Sequence, residues 1–583
     1  MSTPTNDAAT NATRTNDTSD RPDGWWKSAV VYQIYPRSFS DSNGDGIGDI
    51  PGIVSRLDYL AALGVDVVWL SPVYTSPQDD NGYDISDYQN IDPTFGSLAD
   101  IDALIAGLHQ RGMKLVMDLV VNHTSDEHPW FVESRDPASP KRDWYWWRPA
   151  RDGVEPGTPG AEPTNWGAAF SGSAWQYDEV SGEYFLHLFS PKQPDLNWEN
   201  PEVREAVYAM MRWWVDRGVD GFRMDVINLI SKPTELTDGE APPGRPYASA
   251  FVVANGHRLD EFLAEMNERV GLDAQNLLTV GEMPGSSIAT ARAVTDPANH
   301  ELNMVFTFEH VSLDQTPDGS KWDLAELPLP VLKANLAEWQ DGLAEAGWNS
   351  LYWNNHDQPR AVSRFGDDSP EFRVASAKTL GTVLHLHRGT PYVYQGEEIG
   401  MTNSYFTDIA QYSDLESVNY HAEALSLGME AEAVLQSLSV KSRDNARTPM
   451  QWDDRSHAGF SEGVPWLPAN PNYVVVNAHT AVADPSSVFH HYRALIELRH
   501  GNPTVVDGRF SLLAPDHDRL WAFTRTSADE TLLVLANFSA QLLDLPTDGL
   551  PDTTGAMLLL GTHGDAGPGD TLAPWESRVL RLA

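Results

Sequence analysis

The chain has no cysteine, which excludes disulfides and thiolate metal centres and leaves packing and hydrogen bonding to hold it together. Basic residues are scarce: 40 Lys and Arg stand against 83 Asp and Glu, for a formal charge of −43. A field of that sign repels phosphate backbones and anionic lipid surfaces. Nucleic acid and membranes are therefore poor partners, and a small neutral or cationic ligand fits better. No apolar run approaches the ~20 residues needed to cross a bilayer. The segment 1–23 lacks the apolar core of a signal peptide and, rich in Thr, Asn and Asp, reads as a disordered tail. These absences lead to the expectation of a soluble, cytoplasmic protein.

What the chain does have is length and a clear rhythm. Its 583 residues exceed what one core organises, so a large domain with smaller companions is expected. Short apolar runs at 29–35, 65–70, 114–121, 221–225, 278–282, 304–309, 350–354 and 392–395 alternate with helix-like stretches. That alternation predicts a parallel sheet covered by helices. Ser97 caps a stretch with Ile101, Leu104, Ile105 and Leu108 on one stripe, ended by Gly112. Asn200 and Pro201 open another, with Val203, Val207, Met211 and Trp214 at helical spacing and Gly218 closing it. Eight such units argue for an α/β fold, a (β/α)8 TIM barrel over 24–121 and 195–503. Residues 122–194, rich in Trp, Tyr, Gly and Pro, predict a small domain inserted after the third strand over the barrel mouth, and about 400–463 a second insertion. The WYWW run at 144–147 reads as core. From 504 to 583, alternating apolar runs predict a C-terminal antiparallel β-domain.

In such a barrel the active site lies at the C-terminal ends of the strands. Asp118, Asn122 and His123 follow the third strand, Arg223 and Asp225 end the fourth, Glu282 ends the fifth, and His356 with Asp357 follows the seventh. Paired carboxylates point to glycosidic-bond chemistry, in which one attacks the anomeric carbon and another, kept protonated, releases the leaving oxygen. Arg223, two residues before Asp225 and on the same side of its strand, favours an ionised nucleophile, while Glu282 among other carboxylates keeps a proton. Asp357 would stabilise positive charge on the sugar ring, and His123 and His356 would hydrogen-bond its hydroxyls. Elsewhere, Asp41, Asn43, Asp45 and Asp49 alternate oxygen ligands around Gly46, with the Ile47 carbonyl among them, as in the first part of an EF-hand loop. Gly52 stands where the closing Glu of that loop belongs, so one structural calcium is expected in place of a sensor site, with magnesium as the alternative, and no organic cofactor.

The runs DLVVNH (118–123), GFRMDVIN (221–228), GEMPG (281–285) and NNHD (354–357) resemble the four signature segments of glycoside hydrolase family 13, the α-amylase superfamily. GVDVVWLSPVYTSP and GTPYVYQGEEIG extend the likeness, and QPDLNW at 193–198 is similar to the oligo-1,6-glucosidase and α-glucosidase group. The resemblance runs from about Trp25 to the final β-domain. It implies a retaining α-glucosidase that hydrolyses terminal non-reducing α-glucosidic bonds of short oligosaccharides through a covalent glucosyl-enzyme. Asp225 would be the nucleophile, Glu282 the acid/base and Asp357 the third carboxylate. Asp80, Tyr83, His123, Arg223, His356 and Arg443 match glucose-binding positions, and Phe170 and Phe189 match apolar walls near the cleavage point. Val226 matches the choice usual in members that prefer α-1,6 bonds, which favours isomaltose-type substrates. RFGDD at 364–368 departs from the Arg-rich loop of sucrose isomerases, which favours hydrolysis. The alternatives are a transglucosylase, a sucrose- or trehalose-acting isomerase or hydrolase, and a non-catalytic transporter-associated relative. The last usually lacks part of the acid pair and carries a membrane anchor.

Overall fold

A computed structural model describes residues 23–242, 246–316, 319–564 and 569–583. The tail expected at 1–23 lies, Asp23 apart, outside the described residues. Eight parallel strands form the centre: β1 Val31–Ile34, β2 Val67–Leu70, β3 Lys114–Val120, β4 Gly221–Asp225, β5 Leu278–Glu282, β6 Met304–Phe306, β7 Ser350–Leu351 and β8 Thr390–Tyr394. Neighbours in the chain pair from β1 to β6, β8 pairs both β7 and β1, and a parallel bridge between Val305 and Asn349 joins β6 to β7 and completes the ring. The expected (β/α)8 barrel is therefore present. Its strands are shorter than the apolar runs: of 350–354, Ser350 and Leu351 alone stay in the ladder.

Strand alternation decides what faces inward. Phe306 lies 4.6 Å from Tyr392 and 5.6 Å from Trp69, contacts between β6, β8 and β2 that require all three rings to point into the barrel. The opposite phase, including Tyr32, Val68, Leu70, Met117 and Leu119, packs in a separate cluster with the covering helices. Carried toward the strand ends, the inward phase of Trp69 and Val280 includes Asp118, Arg223, Asp225 and Glu282, because Asp118 pairs with Arg223, Arg223 with Val280, and Val120 with Asp225. β4 packs closely enough that a Cβ on Gly221 would lie 2.0 Å from the Leu278 carbonyl oxygen.

The helices begin and end where their caps dictate. Ser97 and Asp100 form a capping box at Leu98–Gln110, and the Asn200 side chain caps Pro201–Arg217, which stops at Gly218 with φ +113°. Between β3 and β4 a short helix, Pro129–Ser134, precedes a three-stranded antiparallel sheet of Trp147–Arg148, Glu183–Leu186 and Trp175–Asp178. Trp144, Trp146 and Trp147 are buried there as core. After β8 the chain makes helices Leu415–Ser426 and Ala431–Lys441 before Val488–Gly501, which Ser487 caps. The C-terminal sheet consists of β9 Arg509–Leu513, β10 Leu520–Thr526, β11 Thr531–Asn537, β12 Met557–Gly561 and β13 Ser577–Arg581, antiparallel in the order β9-β10-β11-β13-β12. One of its faces, with Trp521, Phe523, Val534 and Val579, packs into the same cluster as Leu380, Val383 and Leu384 of a barrel helix. Among the described residues no helix is long and apolar enough to cross a membrane.

Candidate active site

The guanidinium of Arg223 organises the barrel mouth. One nitrogen donates to Asp118 at 2.9 Å and to Asp225 at 2.7 Å, and the other meets Glu282 at 2.6 Å. Its central carbon lies 5.0 Å from the centre of the Trp69 ring, so the cation rests on the barrel's aromatic floor. Asp225 and Glu282 are thereby brought side by side from adjacent strands, and both are nearly buried. Burial lifts Asp225 to about 7 and Glu282 to about 8. Arg223 pulls both back toward ionisation, and the mutual repulsion of neighbouring carboxylates opposes it. The two carboxyls therefore compete for one cation and titrate together, well above the ordinary carboxylate range.

Val226 follows Asp225 in a left-handed conformation, φ +36°, which a β-branched residue rarely adopts. The turn aims its backbone N–H at Glu282, 3.1 Å away. Strain in the chain is here exchanged for an aligned carboxyl group.

Asp357 sits in a cationic cradle. Arg443 and Arg447 each donate to it at 3.0 Å, and His356 Nε2 lies 3.1 Å from its other oxygen. Burial opposes its ionisation, but His356 and the two arginines outweigh burial and hold the carboxyl far below its ordinary range. Gln33 Nε2 lies 2.8 Å from His356 Nδ1, so that nitrogen accepts and Nε2 carries the hydrogen toward Asp357. His356 stacks on Tyr83 with ring centroids 5.2 Å apart. Burial pushes His123 down to about 4 and His356 to about 3, which leaves both neutral near pH 7.

The other expected positions gather around these groups. Asp80 accepts from Gln193 at 3.1 Å and lies 3.7 Å from Arg443, and burial raises its carboxyl to about 7. Tyr83 donates to Asp118 at 3.1 Å, and its carbonyl meets His123 at 3.2 Å. Phe189 packs 5.2 Å from His123 and 5.7 Å from Phe170, whose ring lies 5.1 Å from the Arg443 guanidinium. Residues from five separate strand ends and from both excursions thus meet at one mouth. The QPDLNW run is the return leg of the inserted domain: Asp195 pairs with the buried Lys232 at 2.9 Å, and Trp198 donates to the Val121 carbonyl.

Three contributors escaped the sequence reading. Arg447 stands four residues after Arg443, a spacing that places both on one side of a helical turn and was available as a signal. Asp414, which holds Arg443 at 2.9 Å and Arg447 at 3.3 Å, and Gln33, which sets the His356 tautomer, lie far away in the chain and carry no local signature. Asp118, in turn, is fully buried behind Arg223 and serves the site through that arginine.

The proposed metal loop is distinct from this mouth. Asp41 Oδ1 accepts from the Asn43 and Gly44 N–H groups, Asn43 from Asp45, and Asp45 from Ile47, a run of Asx turns. Asp49 caps the helix Ile50–Val54 through Gly52 and also accepts from Ser42. Among the described residues no group of three or more acidic or imidazole side chains is arranged to hold a metal ion.

A barrel with this ring of carboxylates, arginine and histidine at its strand ends defines a class of carbohydrate-active enzyme, and comparison with known proteins agrees. Residues 33–508 match the alpha-amylase catalytic domain, and the chain belongs to that family of glycoside hydrolases. It is 55% identical over 561 residues to an oligo-1,6-glucosidase of Halalkalibacterium halodurans, covering 95% of this chain and 98% of that protein. A crystal structure of Bacillus licheniformis trehalose-6-phosphate hydrolase superimposes with a TM-score of 0.89 at 46% identity, covering 96% of this chain and all of the other. Isomaltulose synthase of Klebsiella sp. LX3 gives 0.90 at 40% identity, covering 96% and 99%.

Proposed function

We propose that the protein is a retaining α-glucosidase that removes terminal non-reducing glucose from short oligosaccharides, with preference for α-1,6 bonds. The observation that carries this reading is the Asp225–Arg223–Glu282 arrangement, two adjacent buried carboxyls held by one cation and lifted above the ordinary carboxylate range. Asp225 attacks the anomeric carbon as Glu282 gives its proton to the departing glycosidic oxygen, which leaves glucose esterified to Asp225. Glu282, now ionised, takes a proton from water, and the resulting attack frees glucose with its configuration kept. Asp357, ionised in its cradle, accepts hydrogen bonds from sugar hydroxyls and opposes positive charge on the ring. Neutral His123 and His356, together with Asp80, Tyr83 and Arg443, bind the same glucose, and Phe170 and Phe189 wall the cleavage point.

Val226 and the oligo-1,6-glucosidase likeness support the linkage preference. Product analysis with isomaltose, maltose, sucrose, trehalose and trehalose 6-phosphate tests it. Release of α-glucose, fastest from isomaltose, is expected. Initial release of β-glucose would overturn the retaining mechanism, and isomeric disaccharides as the main product would favour glucosyl transfer. Asp225→Ala is expected to lose several orders of magnitude in turnover while remaining folded, and normal activity in that variant would remove the assignment.

We also infer one structural calcium held by side-chain oxygens of Asp41, Asn43, Asp45 and Asp49 with the Ile47 carbonyl. The all-oxygen donor set suits a hard cation, which would take the place of some of the two hydrogen bonds that Asp41 Oδ1, Asp41 Oδ2 and Asp49 Oδ2 each accept. The ion would tie this loop to the start of the helix Ile50–Val54.

A further inference from the structure

Beneath the mouth, between the ends of β7 and β8, lies a small cavity of about 10 Å³, room for a single water, walled by Asn354, Arg360, Glu397, Met401 and Tyr492 among others. Three polar atoms of this wall have no protein partner: Nδ2 and Oδ1 of Asn354, and Oε2 of Glu397. Asn354 is 2% and Glu397 7% exposed, so bulk solvent does not serve them, and buried polar groups without partners are costly. Glu397 Oε1 accepts from the Tyr492 hydroxyl at 2.8 Å. Arg360 is spent on the backbone carbonyls of Gln395, Asn445 and Ala446 and does not pair with it. Burial lifts the Glu397 carboxyl to about 8, which makes it a hydrogen-bond donor near neutrality.

We propose that this cavity is a water site, in which one molecule accepts from Glu397 Oε2–H and donates to Asn354 Oδ1, and that Asn354 and Glu397 are thereby positioning residues for His356 and Asp357. Such a bridge is needed because β7 is only two residues long and meets β8 through just two residue pairs, Ser350 with Thr390 and Leu351 with Pro391. Beyond them the segment 354–357 has left the ladder. Displacement of Asn354 would pass directly to the next residues: Asn355 Oδ1 accepts from the Asp357 N–H at 2.8 Å, and the His356 carbonyl accepts from Arg447 at 3.0 Å. Glu397 lies in the turn Glu397–Ile399 just after β8, so the water would tie the two strand ends together where the ladder does not.

The kinetic part of the proposal rests on the glucosidase reading, whereas the crystallographic part does not, so the two can fail separately. A high-resolution crystal structure of the full chain is expected to show one ordered water within hydrogen-bond reach of both Asn354 and Glu397, and a dry cavity would refute the bridge. Glu397→Gln keeps a donor in place, while Glu397→Leu fills similar space without one. With p-nitrophenyl α-glucoside, Glu397→Leu is expected to lower kcat by about tenfold or more and KM to change by less than about twofold, at temperatures where circular dichroism shows a folded protein. Glu397→Gln should stay within about threefold of the wild type. Full kcat in Glu397→Leu, or equal damage in Gln and Leu variants, would overturn the positioning role. Should Glu397→Leu not fold, Asn354→Ala carries the same expectation, and its retention of full kcat would count equally against it.

Discussion

Replacing Arg223 with methionine removes the cation that touches Asp118, Asp225 and Glu282 together. Unit charges about 4 Å apart at an effective dielectric of ~20 interact by about 4 kcal/mol. At about 1.4 kcal/mol per pKa unit that corresponds to about 3 units. Loss of a cation raises a carboxyl's pKa, so Asp225, already near 7, would hold a proton at neutral pH and cease to be a nucleophile. The expected result is a fall in kcat/KM at pH 7 of about 10²- to 10³-fold, with the acid limb of the pH profile displaced toward alkali. Stability should follow the same protons. A carboxyl whose folded pKa lies above its unfolded value stabilises fully below about pH 4, and that contribution is lost as pH rises through the folded value. The melting temperature of the variant should therefore drop more, relative to the wild type, at pH 8 than at pH 5. Arg223→Lys keeps the charge without the fork and should fall between the two. The assay is kcat/KM on isomaltose across pH, with melting curves on the same samples. A methionine variant within tenfold of the wild type and with an unmoved acid limb would refute the reasoning.

Val226→Ala removes the branched side chain beside the nucleophile, and the ratio of kcat/KM on isomaltose to that on maltose should fall by about tenfold; an unchanged ratio would separate Val226 from linkage choice. Asp414→Asn withdraws the buried charge shared by Arg443 and Arg447. It should destabilise the protein by about 3–5 kcal/mol and raise KM, as read from denaturant titration and kinetics. Chelation with EDTA should lower the melting temperature by a few degrees and added calcium restore it, with Asp41→Ala insensitive to both; an identical response in that variant would remove the metal from this loop.

Much of this was legible before any coordinates. Residues that end a strand in the inward phase, such as Asp225 and Glu282, are marked by the alternation that precedes them, because a two-residue period carries orientation along the strand. Cap residues such as Ser97, Asn200 and Gly218 mark helix limits for an equally local reason. The apolar runs misled where they exceeded the ladder, as at 350–354, since hydrophobicity records burial and a strand also needs a neighbour to pair with.

The sequence by itself therefore determined the order of the barrel's elements and the chemical identity of the groups at its strand ends. Tertiary structure alone decided which of those groups share a cation, which way the His356 imidazole is protonated, that Asp414 holds two arginines, and that burial lifts both Asp225 and Glu282 above the ordinary carboxylate range. The division has a physical cause. Periodicity and capping act over a few residues along the chain. The dielectric and charge around a carboxyl are instead summed over neighbours such as Gln33, Arg223 and Arg443, which ring closure brings together from hundreds of residues apart.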